Sequence, residues 1–299
     1  DERSAGFYAL GLSLQTNEPV GLVCSSGSAV LNFAPAIVEA FHQGIPLVVM
    51  TADRPKEWIG QMVGQTMNQS SVYENYVKKS VELDINHTSD EMVYLNQRLC
   101  NDALNTSLIN KKGPVHINIP LDEPLYDQAE YNPDVKLIET YNTQSILDHS
   151  QWDELKNTWS EAKKILVLVG QGAPNPSLEQ RLIELAKDMR VVVLTENLAN
   201  VQLRDGIHCI DRSLVVIKES NVPDYVPDLL ITLGGAIVSK KIKSFLSDHK
   251  IETHWNISNA PNVVDTYKKL THHFVSNPAS FLKRMINSFE FKNNYNYRS

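Results

Sequence analysis

An acid stands one helix ahead of two strands with small or polar exits, and that order is the chain's first chemical signal. Asp1-Glu2-Arg3 heads a small-residue helix, Ser4-Ala5-Gly6-Phe7-Tyr8-Ala9-Leu10-Gly11. The apolar run Val20-Gly21-Leu22-Val23-Cys24 then ends in Ser25-Ser26-Gly27-Ser28-Ala29, and Pro46-Leu47-Val48-Val49-Met50 ends in Thr51-Ala52-Asp53-Arg54-Pro55. In open parallel sheets, ligands bind outside the carboxyl ends of the strands. Small residues there let backbone approach a ligand, and the next helix offers free N–H groups. Ser26, Gly27 and Arg54 are candidates on that ground; the competing reading is plain strand-to-helix turn chemistry, and the pattern alone does not separate the two. Later in the chain, Lys240, Lys241 and Lys243 cluster early in a helix that follows Gly234-Gly235. Such a cluster is by default a solvated face, yet cations beyond a strand's carboxyl end can also take up carboxylates.

Other candidates fail on spacing. Gly170-Gln171-Gly172-Ala173 follows a strand, but the third glycine of a dinucleotide fingerprint would fall at Asn175, so a structural turn is favoured. Gly234-Gly235 reads as close backbone packing rather than phosphate binding. Cys24 has no Gly-x-Ser-x-Gly elbow around it and no histidine base, so it reads as a buried strand cysteine. His272-His273 and His208-Cys209 lack metal-ligand spacing, and no metal site is assigned within the chain.

The elements that must position these residues alternate between helix and strand. A helix over 1–15 and strands at 20–24, 46–50, 80–83 and 114–119 make a first lobe. A buried helix fills 30–41, with Pro35 in its first turn or at a kink. A long helix runs from about Asp90 to Ile109, capped by Ser89. Strands at 165–169, 191–194, 229–233 and 254–257, with helices such as 177–188 and 239–248, make a second lobe. Continuous apolar strands separated by helices predict an α/β fold of two lobes with mainly parallel sheets. The expected divisions are a first domain over 1–127, a proline-bearing linker over 128–150, a central α/β domain over 151–290, and a further linker from 291 to 299.

At 299 residues the chain has room for two domains. Its 42% hydrophobic and 21% charged content is ordinary for a globular protein, and a net charge of −7 argues against nucleic acid. No apolar run is long enough for a membrane span. Cys24, Cys100 and Cys209 are widely spaced and odd in number, which points to free thiols in a cytoplasmic setting.

The first lobe resembles the pyrimidine-binding domain of thiamine-diphosphate enzymes through Glu2, Ser26-Gly27 and Asn32. Within that superfamily it is most similar to one menaquinone-pathway family, the 2-succinyl-5-enolpyruvyl-6-hydroxy-3-cyclohexene-1-carboxylate synthases. The residues that carry this are Asp1 to Gly6, Ser26 to Ala29, Asn32, Pro35-Ala36, Glu39-Ala40 and Thr51 to Glu57. Gln65 and Gln69, the run Gly113 to Pro120, and Glu123 to Tyr126 extend it. Over 151–299 the similarity rests on lobe order and Ser239-Lys240-Lys241. Met62-Val63 stand where that family has Gly-Ala, and Lys241 where it often has Arg, whose planar fork Lys cannot reproduce. No Gly-Asp-Gly occurs in the chain.

The resemblance implies thiamine diphosphate as cofactor, with Glu2, Ser26, Gly27 and Asn32 at its pyrimidine. Mg²⁺ or Mn²⁺ is expected through a third domain, which this chain lacks. It implies that Glu2 shares a proton with the pyrimidine ring nitrogen and is substantially buried. It implies decarboxylation of 2-oxoglutarate and addition of the resulting carbanion to isochorismate, with Arg54, Gln65, Lys240 and Lys241 holding substrate. A homodimer or homotetramer is implied too, and a longer enzyme of which this chain is an inactive part. Two rivals remain. One is a thiamine-diphosphate enzyme of the acetohydroxyacid synthase or decarboxylase type, against which Ser28-Ala29 argues. The other is a non-catalytic nucleotide-binding module, in which Glu2 would have no role.

Overall fold

A computed structural model of the protein describes residues 1–85, 89–122, 135–140, 147–204, 206–292 and 297. The expected boundary at 127/128, the motif residues Glu123 to Tyr126 and most of the expected terminal linker lie outside the described residues. The chain divides into two compact units, Asp1–Asn142 and Thr143–Ser299.

The first unit opens with α1 (Glu2–Thr16). The Asp1 carboxylate accepts the Ser4 N–H at 2.9 Å, and the helix stops at Asn17 in the left-handed region at φ 59°. Its inward residues are Gly6, Ala9 and Ser13, small enough to let the helix lie close. A Cβ on Gly6 would stand 3.1 Å from Ala36 Cβ. After β1 (Val20–Cys24) the expected single helix is two: α2 (Ser28–Asn32) and α3 (Ala34–Gln43), with Pro35 in the first turn of the second. A proline there loses no helical hydrogen bond. Phe33 and Ile37 are fully buried at this joint, each burial contributing roughly 1.5–3 kcal/mol.

Next come β2 (Leu47–Asp53), β3 (Ser80–Glu82), α4 (Asp90–Leu108) and β4 (Val115–Pro120). The sheet order is β1-β2-β4-β3, and every pair is parallel. β2 runs on past Met50, its expected end, because β4 continues beside it, pairing Thr51 with Asn118 and Asp53 with Pro120. Asp53 therefore belongs to the strand. Ser89 stands at the N-cap of α4, but its hydroxyl donates to Glu91 Oε2 at 2.7 Å and does not cap the helix.

The second unit starts with α5 (His149–Glu161), closed by a reciprocal capping box between Asp148 and Gln151. It continues through β5 (Ile165–Val169), α6 (Pro176–Leu185), β6 (Val191–Thr195), α7 (Ile210–Val215), α8 (Val222–Tyr225), β7 (Leu229–Leu233) and α9 (Lys240–Asp248). It ends with β8 (Thr253–Ser258), β9 (His272–Val275) and α10 (Pro278–Ser288). The order is β6-β5-β7-β8-β9, again all parallel. The fold class expected from the sequence is thus the one found. β5 and β7 are buried at every residue, which explains their unbroken apolar runs.

Candidate functional site

In the first unit, three strand ends and one loop converge on a buried polar network. Gln69 is fully buried, and its Oε1 accepts the Gly27 N–H at 2.7 Å. Its Nε2 donates to the Ala52 carbonyl at 2.9 Å and to Asn118 Oδ1 at 3.1 Å. Asn118 Oδ1 also accepts the Thr51 hydroxyl at 2.9 Å. Asn118 Nδ2 donates to Asp53 Oδ2 at 2.8 Å and to Glu82 Oε2 at 3.2 Å. Thr51 has given its one hydrogen to Asn118, so His116 Nε2, 2.8 Å away, must be the donor in their bond. His116 Nδ1 is then the acceptor for the Ser80 hydroxyl at 3.0 Å. Burial holds this imidazole down at about 4, against a smaller upward pull from Glu82. Desolvation works to raise the Glu82 carboxyl, but hydrogen bonds and charge from Lys56, with Asn118 and Ser70, leave it lowered.

The predicted site residues sit around this network in different ways. Ser26 is buried at the β1 exit, and Gly27 adopts φ +80°. A Cβ on Gly27 would meet the Gln65 backbone at 3.1 Å. The glycine is therefore required for the 64–69 loop to close on the turn, and its N–H is already taken by Gln69. Gln65 itself has φ 57° and an exposed side chain. Arg54 is half-buried, and its N–H donates to Asp53 Oδ1 at 2.8 Å. Ser26, Gly27, Gln65 and, through Asp53 and Ala52, Arg54 are thus brought into one frame. Asn32 ends α2 with an exposed side chain.

Glu2 lies in the first turn of α1 and is half-buried. The expectation of substantial burial is corrected: Asp1, Arg3, Ser4 and Ala5 around it are exposed, so nothing described in this unit encloses that turn. Its carboxylate does reach the strand exit electrostatically. Burial, and then the Glu2 charge, push the Cys24 thiol up to about 11. An acid at the β1 exit with one side open, beside a turn of small residues, is chemically suited to an aminopyrimidine.

Lys240 and Lys241 belong to the second unit, in the first turn of α9. The amides just before that turn are occupied: Glu196 accepts from Val238 N at 2.7 Å and from Ser239 N at 2.6 Å. The Gly170 and Gly234-Gly235 turns meet backbone to backbone. Gly170 N donates to Leu233 O at 2.9 Å, Gly235 N to Gln171 O at 2.7 Å, and a Cβ on Gly170 would stand 2.2 Å from Gly235 O. No group of three or more His, Cys, Asp or Glu among the described residues could hold a metal ion. Among them, no helix is long and apolar enough to cross a membrane.

Comparison with known proteins shows the family. Residues 1–72 match the family described as thiamine pyrophosphate enzyme, N-terminal TPP binding domain. Residues 130–293, more than half of the chain, match the middle domain of the same enzymes. The chain belongs to the thiamine pyrophosphate enzyme family. Within that family, curated relatives named 2-succinyl-5-enolpyruvyl-6-hydroxy-3-cyclohexene-1-carboxylate synthase align over nearly all of it. The Porphyromonas gingivalis protein is 39% identical over 98% of this chain and 50% of its own length. The Bacteroides thetaiotaomicron protein is 41% identical over 95% and 51%, and the Flavobacterium johnsoniae protein 39% over 97% and 52%. The chain thus spans about half the length of these curated relatives. A solved family structure, the thiamine diphosphate-dependent 4-hydroxybenzoylformate decarboxylase of Rhodococcus jostii RHA1, superposes with a TM-score of 0.66 at 20% identity. That match covers 98% of this chain and 55% of the decarboxylase, and it supports the shared fold.

His116, Asn118 and Thr51 are members of the network that the sequence pattern does not single out. A signal is nonetheless present: in Val115-His116-Ile117-Asn118-Ile119, polar residues alternate with apolar ones although the strand is almost wholly buried. A polar residue on the covered face of a sheet must find a buried partner.

Proposed function

We propose that this chain forms the pyrimidine-binding and central domains of a synthase that joins 2-oxoglutarate, with loss of CO₂, to isochorismate in menaquinone biosynthesis. The observation that carries this reading is identity of 39–41% to synthases of that name, spread over 95–98% of the chain. Glu2 at the open β1 exit supports it. When bound, thiamine diphosphate supplies the nucleophilic carbon for both C–C steps. Glu2 would hold a proton at the pyrimidine ring nitrogen, and only an acid can do so. Ser26, Gly27 and Asn32 would line the ring. Arg54, Lys240 and Lys241 would take substrate carboxylates by charge-assisted hydrogen bonds, and Gln65 would orient a substrate oxygen. Mg²⁺ or Mn²⁺ would be held by the part of the relatives' length that this chain does not span. The working enzyme is proposed to be a cytoplasmic homodimer or homotetramer.

The test is a product assay of the full-length enzyme with thiamine diphosphate, Mg²⁺, 2-oxoglutarate and isochorismate, set against pyruvate as donor. Formation of the succinyl-cyclohexene carboxylate product is expected; preference for pyruvate with no such product would favour an acetohydroxyacid synthase. The 299-residue chain alone is expected to be inactive in the same assay. Lys240→Ala should raise the apparent KM for an anionic substrate about threefold to tenfold, since a hydrogen bond to a charged group contributes about 1.5–3 kcal/mol when buried and less when exposed. An unchanged KM would mark the lysines as a solvated face.

A further inference from the structure

The network places one side chain where it governs both halves of the proposed site. Gln69 is fully buried, and its amide joins three segments at once: the turn after β1 through Gly27 N–H, the β2 exit through the Ala52 carbonyl, and β4 through Asn118. Ala52 is followed directly by Asp53 and Arg54, and Asp53 is tied back to Asn118 at 2.8 Å. Gln69 also closes the loop that begins at Gly64, and this loop rests the Gln65 backbone on Gly27. The Gly27 carbonyl accepts Val30 N–H at 3.2 Å, so both backbone groups of that glycine are fixed. The turn that would line the pyrimidine, the loop of Gln65 and the strand end of Arg54 therefore cannot move independently while this amide is in place.

We infer that Gln69 is a positioning residue that couples cofactor affinity to substrate affinity, touching neither molecule itself. The substrate half of this inference rests on the function proposed above; the cofactor half rests only on membership of the thiamine pyrophosphate enzymes. No other natural side chain combines an acceptor for Gly27 with a donor for Ala52 and Asn118 at this reach. Glu keeps the acceptor but sets a third carboxylate beside Asp53 and Glu82. Asn keeps the amide but is one methylene short.

The experiment uses the full-length enzyme. Thiamine diphosphate affinity is read by titration calorimetry, and KM and kcat for 2-oxoglutarate with isochorismate by product formation. Gln69→Met, which keeps length and volume, is expected to weaken cofactor binding and raise the 2-oxoglutarate KM together, each about tenfold, the loss expected for one to two buried hydrogen bonds. Gln69→Asn should shift both in the same direction by less, and it serves where Gln69→Met does not fold. The control is Asn101→Leu, which removes another buried amide of the same unit, bonded to Lys136 and Ile138 rather than to the turn. It should lower the unfolding midpoint and leave both constants within about twofold. A Gln69 variant that changes only stability, or only one of the two constants, overturns the coupling. If the wild-type enzyme makes no product from these substrates, the proposed function fails, and the cofactor titration still decides whether Gln69 holds the turn.

Discussion

Toward the carboxyl ends of β2 and β4 the first unit buries two side-chain amides, a hydroxyl and a carboxylate, joined in one hydrogen-bonded network with the His116 imidazole from the start of β4. At the carboxyl ends of β5 and β7 in the second unit, the glycine turns meet backbone to backbone, with Gly170 and Gly235 in contact. The second sheet's order, β6-β5-β7, contains a reversal of the kind where open α/β sheets usually bind ligands, and the first sheet has its own crossover between β2 and β4. At the second sheet's reversal, main-chain hydrogen bonds join the two turns. Topology alone therefore does not separate the two sheets, and what fills their strand ends does. A side-chain network can fix a turn and leave its outer surface open, whereas two backbones in contact leave no room for a ligand.

The largest expected effect breaks the comparison if it fails. Glu2 is half-buried at an open helix start. Glu2→Gln should therefore leave stability within about 0.5 kcal/mol, as for an ordinary surface exchange. It should lower kcat of the full-length enzyme by about 10²–10⁴, the range of a lost proton-transfer partner. Normal exchange of the cofactor's C2 proton in that variant would remove Glu2 from the chemistry and leave the first unit's open exit without a function.

The second unit's own polar centre should behave in the opposite way. Asp188 and Arg190 form a bidentate pair at 3.0 and 2.6 Å, both fully buried, and Arg190 also donates to the Trp159 and Ala162 carbonyls. Asp188→Ala strands the guanidinium and should cost about 3–5 kcal/mol. Three of the four tryptophans, Trp152, Trp159 and Trp255, lie in this unit, so tryptophan fluorescence in a urea titration reads its transition. The expected outcome is an early fluorescence transition with unchanged affinity of the remaining folded full-length enzyme for cofactor. A weakened affinity would mean that the second unit shapes the cofactor site.

In one respect the units are alike. His116 bonds Thr51, and His254 bonds Thr232 at 2.9 Å; burial holds each at about 4, with Glu82 and Asp265 pulling weakly upward. Both are neutral when folded, while the unfolded chain takes up protons near 6.5. The unfolded state thus binds more protons between pH 6.5 and 4. Stability from these groups is complete above about 6.5 and lost as pH falls toward about 4, on the order of 3 kcal/mol for each histidine. Urea unfolding at pH values of about 7.5 and about 4.5 should show the loss in both units, and His116→Gln should reduce it only in the first. An unchanged pH slope in His116→Gln would deny the buried neutral imidazole.

Much of this fold is legible in the amino-acid order. Buried parallel strands announce themselves as apolar runs, and Ile165 to Val169 and Leu229 to Leu233 have the length and β-branched content of such strands. The glycine turns are legible because a failed fingerprint leaves packing as the reason for Gly170 and Gly234-Gly235. What stays hidden depends on partners distant in sequence. Gln69 meets Gly27 across 42 positions, and Asn118 meets Asp53 across 65. No local period encodes such a pair. β9 escapes a reading by pattern because His272-His273-Phe274-Val275 is short and half-exposed. The split at Phe33 escapes it because the run from Val30 to Phe41 is largely apolar, and apolarity does not reveal where one helix gives way to the next.

The smallest expected effects compare one glycine from each sheet. At Gly27 an added Cβ meets the Gln65 backbone at 3.1 Å, and φ is +80°. At Gly170 it meets Gly235 O at 2.2 Å. Neither neighbour is a flexible side chain, so alanine must displace main chain in both cases, at a cost of roughly 1–3 kcal/mol to its own unit. Stability alone therefore does not tell the two apart. Cofactor affinity should: Gly27→Ala pushes the 64–69 loop off the turn and breaks the geometry that Gln69 holds, so thiamine diphosphate should bind several-fold more weakly. Gly170→Ala only loosens a seal between two backbones, and cofactor binding should stay within about twofold. Equal weakening in the two variants would place the second sheet's reversal inside the cofactor site, and the contrast between open side-chain network and closed backbone would no longer mark where the chemistry is.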